Sequence, residues 1–131
     1  MTVYRSLSPQ QRPAWSDVTG AGTFSVGRDG RFDRHHHECH EYWMIYAGSA
    51  LISVDDREYA VSAGDLVCIE KDTDHDVLEV YEPLEGFWLE GPTPSGGRTG
   101  HLHRSPEQAR GHHVPGRDAP PPGFIQGRAA T

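Results

Sequence analysis

The sequence has almost no lysine: Lys71 stands alone against eleven arginines. Genomic base composition produces that bias as readily as a need for guanidinium contacts, so no function is drawn from it. Cysteine is scarce too. Cys39 and Cys68 lie far apart and in no regular framework, which excludes a disulfide-built secreted scaffold and points to two reduced thiols. Long apolar runs are missing. The longest, Trp43 to Ala47 with Tyr42 before it, is far short of the roughly 20 residues that span a bilayer, and Met1 to Trp15 carries no apolar signal segment. The chain is therefore expected to be soluble and cytoplasmic, without a membrane partner. Basic excess is absent as well: the net charge is −7, with seven basic residues against seventeen acidic ones in 1–90 and five against two in 91–131. That balance excludes an ordinary nucleic-acid binder.

What remains is enough for one domain. At 131 residues the chain can bury one hydrophobic core but not two. From Thr23 to Glu90 it reads as short segments rich in Val, Ile, Tyr, Phe and Trp between Gly and Asp turn residues, with no helical period and no internal repeat. This predicts an all-β barrel or sandwich. The expected strands are Thr23–Val26, Phe32–His37, Tyr42–Ala47, Ala50–Val54, Arg57–Val61, Leu66–Glu70, Val77–Tyr81 and Gly86–Leu89, with Val54-Asp55-Asp56-Arg57 as a tight hairpin.

The ends differ from the middle. Residues 1–19 read as an N-terminal arm and 20–90 as the barrel. Residues 91–131 hold seven of the ten prolines and eight of the fifteen glycines, a mixture that builds no core of its own. An extended tail is expected, mobile or laid across the barrel or a partner subunit. Ser8-Pro9-Gln10-Gln11 and Ser105-Pro106-Glu107-Gln108, the latter with Gly111 behind it, each have the cap, proline and glutamine that start a short helical turn.

The chemistry concentrates at His35-His36-His37-Glu38-Cys39-His40-Glu41, where four histidines, two carboxylates and a thiol share seven residues. Such clusters point to metal. On a strand His35 and His37 share a face while His36 points away, and Glu41, after a turn, can return a carboxylate to the same ion. A fourth ligand must come from elsewhere. In the strand that follows, Glu41, Trp43 and Ile45 should share one face and Tyr42, Met44 and Tyr46 the other, one set lining a cavity and the other packing outside or at an interface.

These residues resemble the cupin signature. Its first motif, His-x-His, three or four residues, Glu, six residues and Gly, matches His35, His37, Glu41 and Gly48. Its second, Gly, five residues, Pro, one residue, Gly, two residues and His, falls on Gly64, Glu70, Asp72 and His75. Gly64 and His75 fit, whereas Asp72 must adopt the backbone of the family's Gly and the family's later Asn is Glu79. The resemblance covers about residues 20–90 and implies a double-stranded β-helix, or jelly-roll, holding one divalent metal on His35, His37, Glu41 and His75. Zinc is the first expectation, with iron, manganese, nickel or copper also suited to three imidazoles and a carboxylate that leave coordination positions open.

As a cupin the chain is expected to be a metal-dependent enzyme acting on a small polar, amino-acid-like substrate, the alternatives being an iron-dependent dioxygenase or isomerase and a non-catalytic binding protein. In some cupins the carboxylate equivalent to Glu41 detaches and acts as a base. Glu41, His40, Tyr42 and Asp76 are the candidates for catalytic proton transfer. The HHH-x-x-x-EYW run and Gly100–Arg104 are similar to the small cupins of natural-product biosynthesis that couple two amino acids through a nitrogen–nitrogen bond, free-standing or fused to a methionyl-tRNA-synthetase-like module. That implies an aminoacyl-tRNA-synthetase-like partner. Gly100-His101-Leu102-His103-Arg104 repeats the His-x-His spacing and is a candidate second metal site or arginine anchor, although a plain surface segment is expected. Glu38 and Asp74 read as turn residues, and Cys39 and Cys68 as buried or half-buried thiols. An open-ended small barrel with aromatic strands has edges to cover, which predicts a homodimer.

Overall fold

A computed structural model describes residue 3, residues 12–94, residue 96 and residues 100–124. Among them the alternating segments become β1 (Gly20–Val26), β2 (Gly30–Phe32), β3 (Glu41–Val54), β4 (Arg57–Ser62), β5 (Leu66–Ile69), β6 (His75–Glu90) and β7 (His112–Val114), with one short helix, α1 (Pro106–Arg110). Sequence patterning splits β3 and β6 into two strands each, but both are continuous and pair antiparallel from Glu41↔Glu90 to Val54↔His75. The bend between their halves stands in for a break. At its corner Gly48 has φ +85°, and a Cβ there would lie 1.9 Å from the carbonyl oxygen of Pro83, so no side chain fits. Register shifts between Ile45 and Ala50 complete the turn.

The bend divides the sheet into two facing halves. In one half the order is β5-β3-β6-β1, and in the other β4-β3-β6. Val26, Trp43, Ile45, Ile52, Val77, Val80 and Leu84 are buried between them. At about 1.5–3 kcal/mol for each fully buried large apolar side chain, this layer is the main stabilising term. The result is a jelly-roll, with one departure from the expected barrel: β4 and β5 each pair with β3 and not with each other, so the sheet stays open between them.

Turn chemistry follows the residues. Asp55 and Asp56 both take positive φ, 53° and 59°, as a two-residue hairpin demands. Asp72, standing where the cupin signature has glycine, has φ 64°, and its N–H donates to the His37 carbonyl at 2.7 Å. Ser105 caps α1, accepting from the Gln108 N–H at 3.3 Å, and Gly111 ends it. The Ser8–Gln11 turn lies outside the described residues. The described tail is laid against the body: β7 pairs with β2, Val80 exchanges hydrogen bonds with Pro115 and Arg117, and Leu102 with His36. No helix among the described residues is long and apolar enough to cross a membrane.

Candidate metal centre

Residues 35–37 do not form the strand expected of them. The chain leaves β2 after Phe32, and His35 and His36 then make single bridges on opposite sides, to His75 and to Leu102. Those bridges keep the backbone extended, so the alternation survives: His35 and His37 turn inward, while His36 lies near Asp74 with 3.3 Å between Nδ1 and Oδ1. Glu41 enters at the start of β3 and His75 at the start of β6. The four side chains are 0–5 % exposed, and one ligand atom from each lies within 4.8 Å of the others.

The proton on each imidazole is placed by its partner. Nδ1 of His35, His37 and His75 lies 2.5, 2.9 and 3.0 Å from the carbonyl oxygens of Asp33, Gly100 and Thr73. A carbonyl only accepts, so each Nδ1 is the N–H donor and each Nε2 carries a lone pair. Those lone pairs meet acceptors. Nε2 of His37 is 3.4 Å from Glu41 Oε2, Nε2 of His75 is 3.3 Å from Oε1, and the buried His75 Nε2 has no hydrogen-bond partner. Protonating the His35 and His37 rings instead is opposed by burial, which, with His75 and His101 nearby, pushes His35 down to about 3 and lowers His37 as well. Two unshared nitrogen lone pairs against a buried carboxylate are what a cation would join. These donors fit a divalent ion.

Trp43 donates its indole N–H to Glu41 Oε1 at 3.0 Å and so fixes the carboxylate. The centre opens on a cavity of about 180 Å³ lined by Phe24, Phe32, Trp43, Trp88 and His101 as well as His35, His37 and Glu41. Phe24 and Phe32 pack on Trp43 with ring centroids 5.1 and 5.9 Å apart. Among the described residues no lysine or arginine lines it.

Three of the proposed catalytic residues are not brought to this cavity. Tyr42 alternates to the outer face of β3 and is exposed there. His40 is exposed, its Nδ1 accepting from the Lys71 N–H at 3.0 Å. Asp76 follows His75 on β6 and faces the other way, where Oδ1 lies 2.6 Å from His112 Nε2. Burial raises the Asp76 pKa against the pull of His112; burial would lower that of His112, but the bond to Asp76 outweighs it and raises it. Adjacency in sequence misled because neighbours on a strand point apart. Cys39 is buried outside the ligand cluster, and Cys68 is exposed on β5 rather than buried or half-buried as expected. Arg104 donates to Asp74 and to the Asp72 carbonyl.

His101 is the cavity residue that the sequence left as surface. Its ring stacks on His35 at 3.6 Å, and Nδ1 sits 2.8 Å from Asp33 Oδ2, which also lies 2.7 Å from His103 Nε2. Burial opposes the Asp33 charge, but His103 and His101 outweigh it and hold the carboxyl below its usual value. His35 cannot serve both clusters, its Nδ1 being spent on the Asp33 carbonyl. The Asp33–His101–His103 group is therefore a hydrogen-bonded brace rather than a second metal site.

Fold and centre together define a jelly-roll with an inward His/Glu cluster that is a candidate metal site. The Cupin_2 family of cupin domains matches residues 22–89, and the chain belongs to the cupin family. An uncharacterized protein, y4oW, of Sinorhizobium fredii is 31% identical over 102 residues, 66% of this chain and 47% of that protein. The chain thus spans about half the length of this curated relative. Among solved structures, a cupin-2 domain protein of Rhodospirillum rubrum is similar with TM-score 0.56 and 20% identity, covering 69% of this chain and 59% of the other. The polyketide cyclase RemF of Streptomyces resistomycificus has TM-score 0.53 and 16% identity over 68% and 63%. A cupin protein of Bacteroides fragilis has TM-score 0.53 and 16% identity over 82% and 90%. Likeness at this identity carries the fold alone.

Proposed function

We propose that the chain is a metal-dependent enzyme in which His35, His37, Glu41 and His75 hold one divalent ion beneath the aromatic cavity. The observation that carries this reading is buried and geometric: the Nε2 atoms of His37 and His75 are set against Glu41 at 3.4 and 3.3 Å, and that of His75 has no hydrogen-bond partner. The donor set suits zinc, our working assignment, and also iron, manganese, nickel or copper. When bound, the ion would supply Lewis-acid polarisation of a substrate oxygen or nitrogen, or oxidative chemistry if it is iron.

The chain's own residues set the rest. Phe24, Phe32, Trp43 and Trp88 exclude water and offer flat apolar walls. At about 180 Å³ the cavity holds roughly six waters' worth of volume, which limits the substrate to a small molecule. With no arginine or lysine among the described wall residues, an amino-acid-like substrate would turn its carboxylate or amine toward the metal ligands and its apolar side chain toward the aromatics. His101 at the wall, held by Asp33, is the remaining polar contact among the described residues. Coupling of two amino acids through nitrogen, with a synthetase-like partner, is supported by the sequence resemblance alone.

The test is elemental analysis of protein purified without a chelating column, followed by incubation with amino-acid-like substrates, with and without oxygen, read by mass spectrometry. About one metal per chain and product under one atmosphere or both are expected. A metal-free protein would end the reading, and tight binding without conversion would replace the enzyme with a sensor.

A further inference from the structure

We propose that Gly22 and Gly86 determine which substrate the cavity takes, by seating the rings of Trp88 and Phe24 low enough to leave a slot for an aliphatic side chain of leucine size. Selection of this kind rests on the metal-centre reading above, because the ion would hold the substrate's polar head. Gly20 and Gly22 on β1 and Gly86 on β6 are buried inward positions without a side chain. Glycine weakens a strand interior, and there it marks the close approach of another group. Here that group is an aromatic ring. Gly22 pairs with Trp88, and Gly86 with Phe24, so each ring has a glycine directly opposite. A Cβ on Gly22 would lie 2.7–2.8 Å from three consecutive atoms of the Trp88 indole. Carbon atoms pack at about 3.5–4.0 Å, so a side chain at position 22 displaces the indole by roughly 1 Å. Gly22 lies behind that ring, since Trp88 lines the cavity and Gly22 does not, and the displacement is into the cavity.

Wall chemistry and volume name the class. Phe24 and Phe32 have no polar side-chain atom, and the indole N–H of Trp43 is already donated to Glu41 at 3.0 Å. These three rings reward buried carbon and offer a polar side chain nothing in exchange for its water. At about 30 Å³ for each water-sized group, the cavity of about 180 Å³ receives roughly six, enough for two chelating atoms and a side chain of about four carbons. A methyl group at position 22, carried forward by the indole, removes about one of the six. The two glycines differ in what a side chain would strike. At Gly86 a Cβ would lie 2.6 Å from the Met44 carbonyl oxygen, which is backbone, as well as 2.9 Å from the Phe24 ring, whereas the near atoms at Gly22 are all side chain. Position 22 is therefore where the slot can be narrowed while the sheet is kept.

The experiment is calorimetric titration of the zinc-loaded full chain with glycine, leucine and phenylalanine hydroxamates, which share a chelating head and differ in side chain. Leucine hydroxamate should bind roughly 100-fold tighter than glycine hydroxamate, each buried methylene contributing up to about fourfold. Gly22→Ala should cut that ratio about 10-fold, with glycine hydroxamate affinity and metal content within about 2-fold of the parent. Adding Trp88→Phe to Gly22→Ala, which shrinks the displaced ring, should restore the ratio to within about 3-fold. If Gly22→Ala does not fold, Trp88→Phe alone serves, and should favour phenylalanine over leucine hydroxamate about 10-fold more than the parent does. Equal binding of glycine and leucine hydroxamates, or a leucine preference that folded variants leave unmoved, overturns the slot while leaving the metal centre standing. Failure of the unaltered protein to hold zinc or bind glycine hydroxamate overturns both.

Discussion

Two groups of histidines lie side by side in this protein, joined where His35 stacks on His101, and they have opposite chemistry. In the His35–His37–Glu41–His75 group every Nδ1–H is turned out to a backbone carbonyl, so the lone pairs face inward. In the Asp33–His101–His103 group two imidazole nitrogens converge on one carboxylate oxygen, and N–H···O bonds account for both contacts. Histidine spacing is alike, His-x-His in each. What separates a metal centre from a brace is the side of the ring that carries the proton, and backbone carbonyls decide that for the first group.

The sharpest test of this contrast is His75→Ala, which removes a buried lone pair. Metal affinity should fall by well over 100-fold, more than loss of a supporting hydrogen bond costs, as read by competition with a chromophoric chelator. Asp33→Asn comes next. It keeps the carbonyl that orients His35 but weakens the brace, so affinity should drop by about 10-fold, the low end of second-shell losses. Wild-type affinity in this variant would mean that the brace does not support the centre.

Acid should distinguish the groups as well. His35, with a folded pKa of about 3, and His37, also lowered, refuse protons that the unfolded chain accepts below about 6.5, so the metal-free protein should lose stability as pH falls through that window. Asp33 is lowered from 3.8, and its contribution is lost only in stronger acid. His112 is raised by Asp76 and works in the other direction, stabilising below its ordinary value and fading above it. A falling melting temperature in chelator-treated protein between pH 6.5 and 4 is the expected result. An unchanged one would show that the imidazoles accept protons in place. The smallest effect belongs to His36→Ala and His103→Gln, whose metal content should stay within about 2-fold of the parent; equal loss with His36→Ala would mean that the wrong ring faces inward.

Three of the clustered ligands were legible from spacing and strand alternation, His35 and His37 two apart and Glu41 opening an apolar strand; His75 was legible only through the resemblance to the cupin motif, at its distance from Gly64. The rest of the site was not. Phe24, Phe32 and Trp88 come from three separate strands, and each reads locally as ordinary core. His101 reaches the cavity from a tail whose composition predicts no structure, because its order is conferred by docking rather than by its own residues. The same limit explains β3 and β6: Gly48 marks a turn in sequence, and only the packing of Pro83 against it shows that both strands bend there without ending. Tyr42 was assigned to the site through its sequence neighbour Glu41, against the alternation that the same strand displayed.

One carbonyl, that of Gly100, has reach beyond its size. It fixes the proton of His37 from 63 positions further along the chain. A cut, a deletion or a competing ligand that drew residues 100–104 away would leave all four ligands intact and still free the His37 ring to turn or exchange tautomers. Metal occupancy is thus a readout of whether that distant segment is seated, and a preparation clipped there would pass as a ligand mutant in any metal assay.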